Sequence, residues 1–399
     1  MLARSEQKSQ KAVKLLMLLA AGSLTTMAGG VVAPVLPDMV QELCLDPGLA
    51  GNLVSAHCLT IALFSPVLGI LADRTGRLRV LIGSLTLYAL CGTAGAWMHS
   101  FGPLLVTRGL LGAASGGIAA SSLGLLGNLY EGKARTQALG YATSTLTITG
   151  ILFPLLGGLV GAHQWQFAFY LYALGLPLAL LAALTLKDPS SPSETASTTP
   201  SNKLSKVLGQ AHTLWLLLTL ALASVSMYAV VIYAPLYLQA TIGAGAVLNG
   251  VVLATRAVGA AVISAFGTRQ LAETLGAAQV TAVGFGLMAL TLAAIPLLDQ
   301  LSWILLTAML FGVGFGLILP IVYSLLANLT PAQLRSSVLA AGTGAGFLGQ
   351  FLSPILLGPL LSFSGLPGVF YGAAGIALVA GTLPFISKTT VINPGPPAT

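Results

Sequence analysis

Two arginines, Arg108 and Arg256, stand inside long apolar runs that are otherwise free of charge. A charged side chain at a bilayer centre costs roughly 2.5–3.5 kcal/mol on insertion scales, so it needs a use there. Arg108 is followed by Gly112 and Gly116, a spacing that reads as a close helix–helix contact. It either faces the interior or reaches back to the outer interface, which is under two turns away. Arg256 has Asn249 two turns earlier and no acid partner within the membrane. It meets water, a substrate anion or backbone carbonyls, or it fixes helix packing. His57 is the only histidine well inside a span; it is either a neutral, hydrogen-bonded side chain or a group that titrates near neutral pH. None of the ten acids lies mid-membrane, and Asp38, at the outer end of the first span, is nearest. Asp38 or His57 would therefore carry a proton, or else the substrate is neutral or anionic and meets the two arginines. Tyr228, Tyr233 and Tyr237 near Pro235, with Gln350, combine apolar bodies and polar tips. Such side chains suit either an amphipathic ligand's cavity or plain packing.

The other concentration of chemistry is the charged island from Gly69 to Arg79, carrying Asp73, Arg74 and Arg77 between two apolar runs. Gly69 and Gly76 permit close approach and chain reversal. Arginines in so short a loop place it on the cytoplasmic side.

These residues need positioning by helices. The chain has 399 residues, 56% hydrophobic and 7% charged; its mean hydropathy is +0.91. A soluble domain carries about 25% charged residues, so a water-soluble globule is excluded. The apolar runs are too long for ten-residue barrel strands, which leaves an all-α integral membrane protein. The net charge of +7 marks inner loops rather than a nucleic-acid partner. Cys44, Cys58 and Cys91 follow no disulfide or metal-ligand spacing, and no cofactor or metal site is expected. No G-x-x-x-x-G-K-[ST] loop occurs, so ATP is not the energy source, and the chain does not read as an enzyme. The basic N-terminus leads into an apolar run too long for a signal peptide and is read as a retained first helix.

Twelve spans are expected near 14–37, 49–72, 78–98, 102–127, 137–161, 166–186, 212–238, 246–267, 276–297, 301–327, 336–362 and 367–387. Residues 1–186 and 211–388 then form two six-helix bundles. Residues 187–210, rich in Pro, Ser and Thr, form a flexible cytoplasmic linker, and 389–399 a disordered tail. With both termini cytoplasmic, every Lys and Arg except Arg108 and Arg256 falls on the inner side, while Asp38, Glu42, Asp46 and Asp299 fall outside. The halves repeat with an offset near 200: Leu105–Gly112 matches Leu305–Gly312. Gly116 matches Gly316, Asn128 matches Asn328, Arg135 matches Arg335, Pro154 matches Pro354, and Gly158 matches Gly358. Parallel repeats of this kind place a substrate site at their interface.

The island Gly69-Ile-Leu-Ala-Asp73-Arg74-Thr-Gly76-Arg77-Leu-Arg79 closely resembles the loop between helices 2 and 3 of the major facilitator superfamily, and the chain is identified as a member of it. Arg108-Gly-Leu-Leu-Gly112 resembles that family's helix 4 motif, whose Arg faces the cavity and is implicated in proton coupling. Gly150-Ile-Leu-Phe153-Pro154-Leu-Leu-Gly157-Gly158 resembles the antiporter signature of its drug:proton antiporter branch, departing from it at Phe153 and in the position of Gly150. Trp165-Gln-Phe-Ala-Phe169 resembles a packing feature at the start of helix 6. The resemblance implies a cytoplasmic latch, with Asp73 facing the start of the eleventh helix near Arg335 and Ser336, and Glu131 as partner for Arg74 or Arg77. The corresponding loop around Arg269 and Glu273 is degenerate, implying a weaker second latch. Pro154, Gly157 and Gly158 are expected as a hinge, and Arg256, Asn249, Tyr233, Tyr237 and Gln350 as substrate contacts. The activity implied is alternating-access transport by a monomer in a bacterial inner (plasma) membrane, exporting a small amphipathic molecule in exchange for protons. Uptake or exchange of an organic anion, and a non-transporting sensor or scaffold, stay open beside it.

Overall fold

A computed structural model of the protein describes residues 2–186, 201–331 and 334–389. The expected linker over 187–200 and the tail from 390 lie outside the described residues. Among the described residues ten spans are labelled α1 Ala12–Glu42, α2 Pro47–Thr75, α3 Arg77–Trp97, α4 Phe101–Leu129, α5 Gly132–Val160, α6 Gln166–Thr185, α7 Ala211–Ile242, α8 Ala246–Phe266, α9 Ala277–Leu297 and α10 Leu301–Asn328. An eleventh, Arg335–Phe385, is two helices end to end. Gly365 inside it has φ 66° and ψ −170°, outside any helical region. The parts before and after Gly365 are α11 and α12, which gives the twelve spans expected. The stretch Ser201–Leu208, read as flexible linker, is instead a short helix.

α1 runs further than expected because it breaks and restarts. Its first part ends at Gly30, Ala33–Val35 form a 3-10 turn, and Leu36–Glu42 resume the helix. Pro34 and Pro37 remove two backbone donors and crowd the preceding turn, which accounts for the break. A broken helix leaves carbonyls without intrahelical partners in the apolar interior, and they need donors from elsewhere. At the α2–α3 and α8–α9 turns the backbone repeats the sequence symmetry: Gly76 has φ 108° and Gly276, 200 positions later, φ 87°. A side chain is strained at either position.

By contact the chain forms two compact units. The first comprises Met1–Ser197 with Pro235–Ala254, the second Thr198–Ala234 with Thr255–Thr399. The last quarter of α7, from Pro235, and the first part of α8 therefore belong with α1–α6. Within the first unit α4 packs on α2 through glycines. A Cβ on Gly112 would overlap Thr60 Oγ1 and the His57 carbonyl, and one on Gly116 would lie 2.9 Å from Ser65 N. The second unit repeats the device. A Cβ on Gly312 of α10 would overlap the Arg256 carbonyl of α8, and one on Gly316 would lie 2.6 Å from the Ala260 carbonyl. Small residues at such crossings let dispersion contacts and Cα–H···O bonds substitute for a hydrophobic drive that lipid cannot supply.

Candidate functional site

Arg108 is the centre of the polar interior of the first unit, and 1% of it is exposed. Its Nε donates to the Leu53 carbonyl of α2 at 3.0 Å and its Nη1 to the Tyr172 hydroxyl of α6 at 2.8 Å. Nη2 donates to the Ala28 carbonyl, just before the break in α1. The Tyr172 hydroxyl donates to the same carbonyl at 2.9 Å, and the guanidinium lies 5.8 Å from the Tyr172 ring centroid. Tyr88 stands edge-on to Tyr172 and donates to the Leu24 carbonyl at 2.7 Å. The planar fork of Arg thus ties three helices together at the point where α1 loses its own ladder. In this conformation Arg108 is enclosed by α1, α2 and α6. His57 is also buried; its Nε2 is 3.5 Å from Cys58 Sγ and its Nδ1 has no partner.

The α2–α3 turn is held from within. Asp73 Oδ1 accepts from Arg77 Nε at 2.9 Å and Nη2 at 2.8 Å, across the positive-φ Gly76. Arg77 lies over Gly124 of α4, where a Cβ would come 2.6 Å from Nη1. Gly69 is less demanding; a Cβ there would make an ordinary 3.7 Å contact with Ala120. Arg74 is exposed at the end of α2. One expected pairing is not formed. Glu131 forms no ion pair with Arg74 or Arg77 among the described residues, and Arg335 Nε donates to the Ala327 carbonyl at 2.9 Å. The acid at 73 takes its partner from four residues along its own turn. The corresponding segment of the second half is a short helix, Thr268–Leu275, in which Arg269 Nε donates to Glu273 Oε1 at 2.8 Å before the turn at Gly276. The half-exposed Asp73–Arg77 pair contributes about 0.3–0.5 kcal/mol. Asp73→Asn is therefore expected to leave the unfolding temperature in detergent unchanged within error. A gate energy of about 0.3–1 kcal/mol would still shift a closing equilibrium about two- to fivefold, read as a changed transport rate. A fall of several degrees on unfolding would show the pair to be structural.

Pro154, Gly157 and Gly158 sit in an unbroken helix and act as a contact surface. A Cβ on Gly157 would overlap the Val31 carbonyl of α1, one on Gly158 the Ala246 carbonyl, and one on Gly250 would lie 2.5 Å from the Pro154 carbonyl. Asn249 is buried nearby; its Nδ2 donates to the Pro34 carbonyl at 3.2 Å and its Oδ1 has no partner. Asp38 is partly exposed and accepts weakly from Gln239 Nε2 at 3.4 Å.

In the second unit Arg256 is partly buried on α8, and its Nε has no hydrogen-bond partner. It occupies the place on α8 that His57 occupies on α2, each facing the first glycine of its crossing. Tyr233 is fully buried with its hydroxyl unpartnered. Gln350 is partly buried on α11. The expected substrate contacts are thus divided: Arg256, Tyr233 and Gln350 belong to the second unit, Asn249 and Tyr237 to the first.

Several polar residues escaped sequence reasoning. Tyr172 lies 64 positions from Arg108, and no spacing rule links them. Glu42 accepts from Trp165 Nε1 at 2.9 Å and Gln166 Nε2 at 3.0 Å, so the expected packing role of Trp165 includes a polar bond. Thr143 on α5 and Thr343 on α11 are both exposed and stand 200 apart. The repeat would have paired them had hydroxyls been followed along with Gly and Pro.

Apolar helices, glycine-packed crossings repeated at an offset of 200 and a positive-φ glycine turn in each half define a polytopic helical membrane protein of duplicated design. The chain belongs to the Major Facilitator Superfamily, whose family model matches residues 18–354 and 249–398. Its fold is that of a bacterial homologue of the human lysosomal transporter Spinster in an inward-facing, occupied conformation. There the TM-score is 0.83 at 16% identity, over 96% of this chain and 98% of that one. The nucleoside transporter NupG is similar at TM-score 0.80 and 14% identity, over 94% and 99%. In sequence the chain is similar to the quinolone resistance protein NorA of Staphylococcus aureus, 28% identical over 161 residues, which are 40% of this chain and 42% of that one. It is also similar to the multidrug transporter protein MdtP of Bacillus subtilis, 26% identical over 190 residues, 46% of this chain and 33% of that one. The matched stretch spans less than half of either relative.

Proposed function

We propose that the protein is a secondary active transporter that exports a small amphipathic molecule in exchange for protons by alternating access, as a monomer with both termini in the cytoplasm of a bacterial cell. The observation that carries this reading is the similarity to NorA and MdtP within a chain of this family. The distribution of basic residues supports the orientation. The turn at Asp73, Arg74 and Arg77 serves as inner gate, with Gly69 and Gly76 shaping it. Asp38 is the proton-carrying group: it is a partly exposed acid within a span, whereas His57 is enclosed in the α2–α4 crossing. Arg108 supports coupling by holding the break in α1 rather than by touching the substrate.

Proteoliposomes with an imposed pH gradient test this, using a quinolone and a fluorescent amphipathic cation as substrates. Asp38→Asn is expected to lower gradient-driven export at least about tenfold while substrate–substrate exchange, which needs no proton, persists. A specific observation favours a second reading, carriage of an organic anion: the unpartnered Nε of Arg256 within an apolar helix. Loss of anion exchange in Arg256→Ala, with no response of any cation to the pH gradient, would replace the first reading by the second.

A further inference from the structure

The second unit contains a cavity of about 300 Å³ between the start of α7, the start of α9, the end of α10 and the end of α12. That volume is far above the roughly 30 Å³ share of one water and at the lower bound of the roughly 300–1,000 Å³ typical of small-molecule sites. Its walls offer a ligand nothing polar in depth. The Thr219 hydroxyl donates to the Trp215 carbonyl at 2.7 Å, and the Thr281 hydroxyl to the Ala277 carbonyl at 2.8 Å. The remaining wall residues are apolar except His212, the first-turn residue of α7, and the indole N–H of Trp215.

The helix preceding that end is amphipathic and carries Lys206 on its exposed face. The helix Ser201–Leu208 leads into α7 through Gly209 and Gln210. Leu204, Val207 and Leu208 are partly buried, whereas Ser205 and Lys206 are exposed. The helix packs on the Arg335–Thr389 segment, whose Pro384 lines the cavity. A short helix with one apolar face and a lysine on the other has the pattern of a helix that lies in a membrane interface. An occupant must therefore be apolar in depth and carry negative charge only at the mouth.

We infer that the cavity binds one acyl chain of an anionic bilayer phospholipid, with the phosphate held by His212 and Lys206. The site lies within one unit and goes beyond the transport reading; it requires only that the protein be embedded in lipid. Trp215 in the wall reports on it. The protein and its Trp215→Phe variant are reconstituted in phosphatidylcholine containing increasing fractions of dibrominated phosphatidylglycerol or dibrominated phosphatidylcholine. The difference between their fluorescence isolates Trp215. Half-maximal quenching is expected at about a fivefold lower fraction of the anionic lipid, the contribution of one basic side chain near a surface. Lys206→Gln combined with His212→Gln should make the two lipids equivalent. Ala278→Phe should remove the preferential quenching by filling the cavity, and Leu325→Phe does so from α10 if Ala278→Phe does not fold. Equal quenching by both lipids, undiminished quenching in a folded cavity-filling variant, or displacement by the exported amphipath ahead of lipid would each overturn the inference.

Discussion

Gly112→Ala is expected to abolish folded, active protein, whereas Gly109→Ala, on the same helix one turn earlier, leaves both intact. The added methyl at 112 has no space. It overlaps Thr60 Oγ1 and the His57 carbonyl and comes 2.6 Å from His57 Cα, so side-chain rotation cannot relieve it. α2 and α4 would have to separate along their whole crossing. Overpacking typically costs about 1–3 kcal/mol, and a backbone-on-backbone overlap falls at or above the upper end. At Gly109 the nearest atom is Thr60 Cγ2 at 3.8 Å, an ordinary contact, and Ala is about 0.8–1 kcal/mol the better helix former. Intrinsic-fluorescence unfolding in detergent and export from proteoliposomes check both. Gly312→Ala in the second unit should behave like Gly112→Ala, because its methyl overlaps the Arg256 carbonyl and lies 3.0 Å from Ala260 N. A stable, active Gly112→Ala protein would mean that the crossing yields more readily than close packing allows.

Arg108→Ala is expected to lower stability by at least about 3 kcal/mol, combining a cavity of large-side-chain size with stripped hydrogen-bond partners. The Ala28 and Leu53 carbonyls and the Tyr172 hydroxyl all lose the guanidinium. Arg108→Lys should recover only part of this, because an ammonium is a point donor and cannot span three acceptors on three helices. The measurement distinguishes two roles. A residue that only passes protons or touches substrate would give a fully stable, transport-dead Ala variant. A residue that closes the broken α1 gives an unstable one, with Lys intermediate in both stability and rate. An unchanged unfolding temperature in Arg108→Ala would remove the structural role argued above.

The spans were legible because hydrocarbon imposes a one-dimensional rule: about 20 apolar residues, whatever their partners. The ends were less so. α5 begins at Gly132, five residues before the expected start, since Lys133 and Arg135 can be helical once outside the hydrocarbon. α1 continues to Glu42 because Pro34 and Pro37 break it without ending it. Glycine spacing announced the crossing at Gly112 and Gly116 and its copy at Gly312 and Gly316. It could not say that the copies would be filled by His57 on one side and Arg256 on the other.

What the sequence determined by itself is the number of rods, their doubling at an offset of 200, and the close crossing at Gly112 and Gly116. Each is a property of composition or spacing along the chain, and the apolar solvent enforces it residue by residue. Tertiary structure alone decided what the polar groups do: that Arg108 serves a broken helix, that Asp73 takes Arg77, that Glu42 takes Trp165, and that Pro235–Ala254 packs with the first unit. Those choices join residues four to more than a hundred positions apart. They are set by which carbonyl or carboxylate is left unsatisfied once the helices have packed, and a donor's identity does not reveal that acceptor in advance.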